Sequence, residues 1–124
     1  MPVALSAATA PVRIAWIGAR VLAAVLTVPI AEELAYRGFL MRRIAAAEFE
    51  SLHFSAVRWP ALVISSIVFG SMHGAMWLPG IVAGCAFGFV AIRSDRLGEA
   101  VFAHAIANVC IAVDVLFFDQ WQLW

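Results

Sequence analysis

Four polar side chains lie in otherwise apolar stretches of the sequence, where polar groups are costly and usually serve a function. They are Glu32, His73, His104 and Asn108. A carboxylate in an apolar cavity makes a suitable general base near neutral pH, and a histidine can hold the same water or carry the proton onward. A second histidine and an amide can donate hydrogen bonds to a developing oxyanion. The set predicts hydrolysis of a carbonyl compound by an activated water molecule.

The spacing of these residues places several of them on shared helix faces. His104 and Asn108 are four residues apart, so their side chains can point the same way. Glu33 and Arg37 have the same spacing and can form an ion pair. Glu32 is rotated by about 100° from its neighbour, so this pair need not neutralise it. No serine or cysteine has a base at a suggestive spacing, so a covalent acyl-enzyme is not indicated.

The composition indicates that lipid surrounds the elements that carry these residues. Hydrophobic residues make up 65% of the chain and charged residues 13%, whereas a soluble domain is about half apolar and about a quarter charged. Eight arginines balance eight acidic residues, there is no lysine, and no basic patch suggests nucleic acid as a partner. We therefore expect an integral membrane protein whose main partner is the bilayer.

The apolar stretches predict an all-α, polytopic transmembrane bundle of about four helices. Residues 59–92 contain no charged side chain, and one helix of that length would be about 51 Å long, too long for a ~30 Å hydrocarbon core. The run must fold back, and Leu78-Pro79-Gly80 is the predicted turn. Pro29 is expected to kink the first helix. The predicted helices span residues 14–47, 57–76, 80–93 and 99–118, with a connector at 48–58 and a polar loop at 93–98.

The arginines predict the orientation of these helices. Arg42, Arg43, Arg58, Arg93 and Arg96 fall on one side, which is therefore cytoplasmic by the positive-inside rule. Counted at ~1.5 Å per residue, the four candidate residues lie roughly 9–21 Å deep from that side. We expect a multi-pass protein of a bacterial-type plasma membrane, with the candidate site in the cytoplasmic half.

Three motifs on separate apolar segments also resemble a known family. Glu32-Glu33-Leu34-Ala35-Tyr36-Arg37-Gly38, then Phe69-x-x-x-His73, then His104-x-x-x-Asn108 are similar in type and order to the motifs of the CPBP family. These are the CAAX prenyl endopeptidase and bacteriocin-processing intramembrane proteases, also called the Abi family. One such motif is weak evidence, but three in order are a specific signal.

The resemblance implies a role for each matching residue. Glu32 and His73 would activate the water, His104 and Asn108 would form the oxyanion site, and the supporting residues would be Glu33 and Arg37. It implies one protease domain over residues 1–124, with its motif-bearing core at about 20–118. Family members usually have several helices before the double glutamate, whereas one is predicted here, so we expect an N-terminally shortened domain.

The sequence does not identify a cofactor. Two histidines and a glutamate could ligate zinc and leave a fourth position for water, but the HExxH spacing is absent. Water activation by glutamate and histidine without a bound metal is favoured, with zinc as the alternative.

Each polar group taken alone also has an ordinary structural interpretation. The Glu32 cluster could mark a helix leaving the membrane, and the histidines and Asn108 could join helices by hydrogen bonds. We favour an intramembrane endopeptidase acting on a peptide or a membrane-anchored protein. The alternative is a non-catalytic membrane module that binds a peptide or confers immunity to one. A proton or solute pathway subunit is a weaker third hypothesis, because one polar cluster makes a poor continuous path.

Overall fold

The computed structural model describes all residues from Met1 to Trp124, and they form helices without strands. The predicted all-α helical bundle is confirmed. Three helices are long and apolar enough to cross a membrane, and a fourth apolar helix is shorter. We label the helices α1 (Ala10–Ala45), α2 (Trp59–Ser71), α3 (Trp77–Ser94) and α4 (Leu97–Phe118).

Helix α1 is a continuous helical run that contains two π-helical segments. Two segments, Ala23–Thr27 and Leu34–Met41, are π-helical, and the α-helical segment Val28–Glu33 lies between them. The first π-helical segment ends just before Pro29, at the place where the sequence predicts a kink. The two glutamates of the first motif therefore lie between two π-helical segments, which occur frequently at functional sites.

The predicted turn at Leu78-Pro79-Gly80 is wrong. Residues 72–76 make the turn, where Gly74 has a φ of +54° that glycine adopts without steric strain. Pro79 instead lies in the first turn of α3, where a helix needs no backbone N–H donor and tolerates proline. Helix α2 therefore ends at Ser71, five residues earlier than the sequence predicted.

The connector between α1 and α2 is held in place by polar bonds. It contains the short 3₁₀ turns Phe49–Ser51 and Phe54–Ala56. Arg42 donates hydrogen bonds to the carbonyl oxygens of Leu52 and Glu50, at 3.0 and 2.8 Å. These bonds satisfy backbone carbonyls that no helix or strand pairs.

Asp95 joins the connector to the end of α3. It has a φ of +56° and caps α3, and its carboxylate accepts hydrogen bonds from the Ser55 amide at 2.9 Å and the His53 imidazole at 2.8 Å. These bonds hold the pKa of Asp95 below its usual range, the backbone bond from Ser55 contributing most.

The depressed pKa of Asp95 predicts an acid-sensitive connector. A carboxyl group whose pKa is lower in the folded state stabilises the fold above its unfolded pKa of ~3.9, and this contribution is lost as the pH falls through the folded pKa. The Tm of the wild type in detergent should exceed that of Asp95→Asn at pH 7. The difference should shrink below about pH 4 and vanish at lower pH. A difference that is independent of pH would contradict this assignment.

The chain forms two compact units by its internal contacts. One contains Ile30–His104, with α2, α3 and the connector. The other contains Met1–Pro29 and Ala105–Trp124, and within it the Trp16 and Trp124 rings pack edge to face with centroids 6.3 Å apart.

In the first unit, α2 and α3 approach closely because glycine lies at their interface. A Cβ atom at Gly70 would lie 2.6 Å from both the Ile81 nitrogen and the Trp77 oxygen, which are backbone atoms that cannot move aside. Such small-residue contacts are typical of helices that associate in a membrane.

Gly70→Ala is therefore expected to destabilise the protein by about 1–3 kcal/mol, the usual cost of overpacking. Gly18→Ala is the matched control, because a Cβ atom there meets nothing within 4 Å. Alanine also has the higher helix propensity, so the control should keep or slightly raise the Tm. Thermal unfolding of the two variants in detergent makes the comparison, and equal Tm values would contradict the packing described here.

Candidate active site

A buried glutamate lies at the centre of the candidate site. Glu33 is fully buried, and its Oε1 accepts hydrogen bonds from Arg37 Nη1 at 2.8 Å and from His104 Nδ1 at 2.9 Å. The pairing of Glu33 with Arg37 is the one that their spacing allows. The bond to His104 connects α1 with α4 through residues 71 positions apart in the sequence.

The structure provides partners for the guanidinium group of Arg37, which is only 1% exposed. Its Nη2 donates to the Gly84 carbonyl oxygen at 2.9 Å. Its Cζ lies 4.4 Å from the ring centroid of Phe69 and 5.6 Å from that of Phe87. A buried charge is tolerated when it is paired and hydrogen-bonded, and aromatic faces attract cations. Arg37 therefore compensates the charge of Glu33 within the protein interior.

The other ring nitrogen of His104 faces Glu32. His104 Nε2 and Glu32 Oε2 are 3.7 Å apart, which is too long for a hydrogen bond. The side chain of Glu32 is 32% exposed, but its Oε2 is buried and makes no hydrogen bond within the protein. At this separation one oxygen atom can lie within hydrogen-bond distance of both groups. An acid and an imidazole nitrogen thus face each other across a gap that a single oxygen atom could bridge.

The hydrogen-bond network assigns the donor on His104. Arg37 Nη1 can only donate, so Oε1 of Glu33 accepts, and Nδ1 of His104 is assigned as the second donor to the same oxygen. A carboxylate in this position orients an imidazole. The nitrogen that is free for chemistry is therefore Nε2, which faces Glu32.

His73 packs against Phe69, as His104 does, but it does not bond to either glutamate. It is half-buried, and its Nδ1 bonds to the carbonyl oxygen of Phe69 at 2.8 Å, one turn earlier. The Phe69 ring lies 4.6 Å from the His73 ring and 5.9 Å from the His104 ring, between centroids. The structure brings both imidazoles against one phenylalanine, but no hydrogen bond joins His73 to Glu32.

Asn108 makes its hydrogen bond within the second compact unit. The Val28 amide bonds to the Ala23 oxygen in the π register, five residues apart. In that register the partner of the Ala24 oxygen would be Pro29, which has no N–H. Asn108 Nδ2 supplies the missing bond at 2.7 Å. This amide therefore satisfies a backbone carbonyl, and its role at an oxyanion stays a prediction.

Two residues that contact the site, Phe87 and Gly84, could not be predicted from their residue types alone. Phe87 stacks on His104, with centroids 4.6 Å apart and planes 14° apart, and Gly84 accepts from Arg37 through its backbone. Both lie on α3, and neither is polar in its side chain. The only sequence signal for Gly84 is its place in a run of glycines four residues apart, and no signal distinguishes Phe87.

The residues do not form a metal site in this structure. No group of three or more His, Cys, Asp or Glu side chains is arranged so that it could hold a metal ion. The zinc alternative would need a third ligand beside His104 and a glutamate. No residue is therefore assigned as a metal ligand.

Comparison with known proteins adds one finding. The family model described as type II CAAX prenyl endopeptidase Rce1-like matches residues 14–110, which is most of the chain and includes all three motifs. No curated protein and no solved structure matches the chain.

Proposed function

Because the chain belongs to the type II CAAX prenyl endopeptidase Rce1-like family, we propose that it is an intramembrane endopeptidase. It hydrolyses a peptide bond with a water molecule that Glu32 activates. The observation that supports this best is the 3.7 Å separation of Glu32 Oε2 and His104 Nε2, with Glu33 bonded to the far side of the same imidazole. A base, an oxyanion donor and a group that orients the donor are the parts that hydrolysis needs.

The reaction begins with transfer of a proton from water to Glu32. The water oxygen attacks the carbonyl carbon of the scissile bond, and a tetrahedral oxyanion forms. The carbon–nitrogen bond then breaks, and the leaving amine takes the proton from Glu32. A positioned carboxyl group that acts first as base and then as acid typically contributes ~10²–10⁴-fold to the rate.

His104 stabilises the oxyanion in this proposal. Its protonated imidazole donates from Nε2 to the carbonyl oxygen, while Glu33 accepts from Nδ1 at 2.9 Å and orients the ring. His73 assists at the water, with Nε2 as its available nitrogen because Nδ1 bonds to the Phe69 oxygen.

The expected substrate is a peptide or the tail of a membrane-anchored protein, and prenylated CAAX tails are one class that the family name suggests. The chain is proposed to cross the membrane several times, and the arginine distribution favours a site in the cytoplasmic half. A substrate held by a lipid anchor would reach such a depth without leaving the bilayer.

The test is cleavage by the full chain in lipid vesicles. Membrane-tethered peptides, with and without a prenyl group, are incubated with the protein, and mass spectrometry identifies the products. We expect a single hydrolysed bond per substrate. His53→Ala is the control for substitution of the site histidines His73 and His104, because His53 is exposed and bonds only to Asp95. This variant should keep its activity within about twofold of the wild type.

The alternative function is that of a non-catalytic membrane module that binds a peptide. If the protein binds a tethered peptide but leaves every peptide intact, the same residues serve binding and not hydrolysis. Cleavage that is equal in vesicles without the protein would also contradict hydrolysis by this chain.

A further inference from the structure

Phe87 is an aromatic side chain that contacts both His104 and Arg37 without belonging to any of the three motifs. Its ring stacks on the His104 imidazole with centroids 4.6 Å apart and an interplanar angle of 14°. The Arg37 Cζ lies 5.6 Å from its centroid. Phe87 is 7% exposed, so these contacts are removed from solvent.

We propose that Phe87 is a positioning residue, whose ring holds the plane of the His104 imidazole so that Nδ1 stays on Glu33 while Nε2 faces Glu32. This inference rests on the proposed function. Glu33 bonds one atom of the imidazole, which fixes that atom but allows the ring to tilt about the bond. A parallel ring on one face removes the tilt, because offset stacked rings attract each other at this distance.

The second aromatic contact of His104 completes the restraint. Phe69 meets the imidazole edge to face, with an interplanar angle of 84° and centroids 5.9 Å apart. Phe69 and Phe87 themselves pack edge to face at 6.5 Å. Because the two rings come from α2 and α3, the imidazole of α4 is held by both helices. The same rings line the Arg37 guanidinium, so Phe87 also keeps the partner of Glu33 in place.

The test compares ring removal with ring retention. Phe87→Leu should lower kcat roughly tenfold and change KM by less than about twofold, because a stacked ring acts on the geometry of the catalytic step. Phe87→Tyr keeps the ring and should restore most of the rate. Phe87→Met serves in place of Phe87→Leu if the leucine variant does not fold. Phe89→Leu is the matched control, because Phe89 lies on the same helix, is 49% exposed and stacks on Trp59 instead.

A measurement without substrate separates this proposal from the proposed function. The chain has three histidines, so imidazole nitrogen NMR of the full chain in detergent can resolve each one, and His104→Gln identifies the signal. The Nδ1 proton of His104 should exchange more quickly with water in Phe87→Leu than in the wild type or in Phe89→Leu.

Faster exchange together with a lower kcat supports the proposal. If the wild type cleaves no peptide, the proposed function fails, but the exchange rate still decides whether Phe87 positions His104. An unchanged Nδ1 exchange rate in folded Phe87→Leu or Phe87→Met overturns the proposal, as does a wild-type kcat in that variant.

Discussion

Glu32→Gln is expected to lower kcat/KM for a membrane-tethered peptide by ~10²–10⁴-fold, the usual contribution of a general base. Glutamine has nearly the same shape and can still accept a hydrogen bond from water, but its amide cannot take the proton. The side chain is partly exposed, and its Oε2 makes no hydrogen bond within the protein, so the substitution should leave the fold intact. Initial cleavage rates of the two proteins in vesicles measure the effect.

Glu48→Gln is the control for this substitution. Glu48 is exposed in the connector, so the same change of a carboxylate to an amide there should leave kcat/KM within about twofold of the wild type. If Glu32→Gln retains as much activity as this control while remaining folded, Glu32 is not the base.

Arg37→Met is expected to have the largest effect on stability. Glu33 and Arg37 are almost wholly buried and bond at 2.8 Å. Removing one partner of a buried ion pair leaves the other charge uncompensated, at a cost of about 3–5 kcal/mol. Thermal or denaturant unfolding in detergent should show this loss. Arg37→Lys should recover only part of it, because one ammonium group cannot reproduce the forked bonds to Glu33 and the Gly84 oxygen.

A double substitution tests whether charge is the cause. Glu33→Gln/Arg37→Met removes both charges, so it should be more stable than Arg37→Met alone. A double variant that is less stable than Arg37→Met would show that the bond between Glu33 and His104 outweighs the uncompensated charge, and a wild-type Tm for Arg37→Met would contradict the buried pair.

The sequence predicts the features of this protein that depend on local spacing. Apolar stretches predict the first and last helices, and an apolar run too long for one helix predicts two between them. The four-residue interval from Glu33 to Arg37 predicts their ion pair. Local rules fail where two signals compete. Leu78-Pro79-Gly80 looks like a turn, but proline is also suited to the start of a helix, and Gly74 takes the turn instead.

The contacts that define the candidate site depend on distant parts of the chain. Motif order indicates that Glu33 and His104 belong to one site, but not that Oε1 of Glu33 bonds to Nδ1 of His104. The stacking of Phe87 follows from the way α3 packs, which no interval in the sequence encodes. The bond from Asn108 to Ala24 depends on a π-helical register that Pro29 leaves incomplete.

A double-mutant cycle on Glu32 and His104 tests whether the two groups that face each other act together. Kinetics are measured for Glu32→Gln, His104→Ala and the double variant on one tethered peptide in vesicles. If both side chains act on the same reacting carbonyl and water, the double variant should lose about as much kcat/KM as the more damaged single variant, because groups that work as a unit are not additive. Losses that simply multiply would contradict a joint site, since independent groups contribute independently.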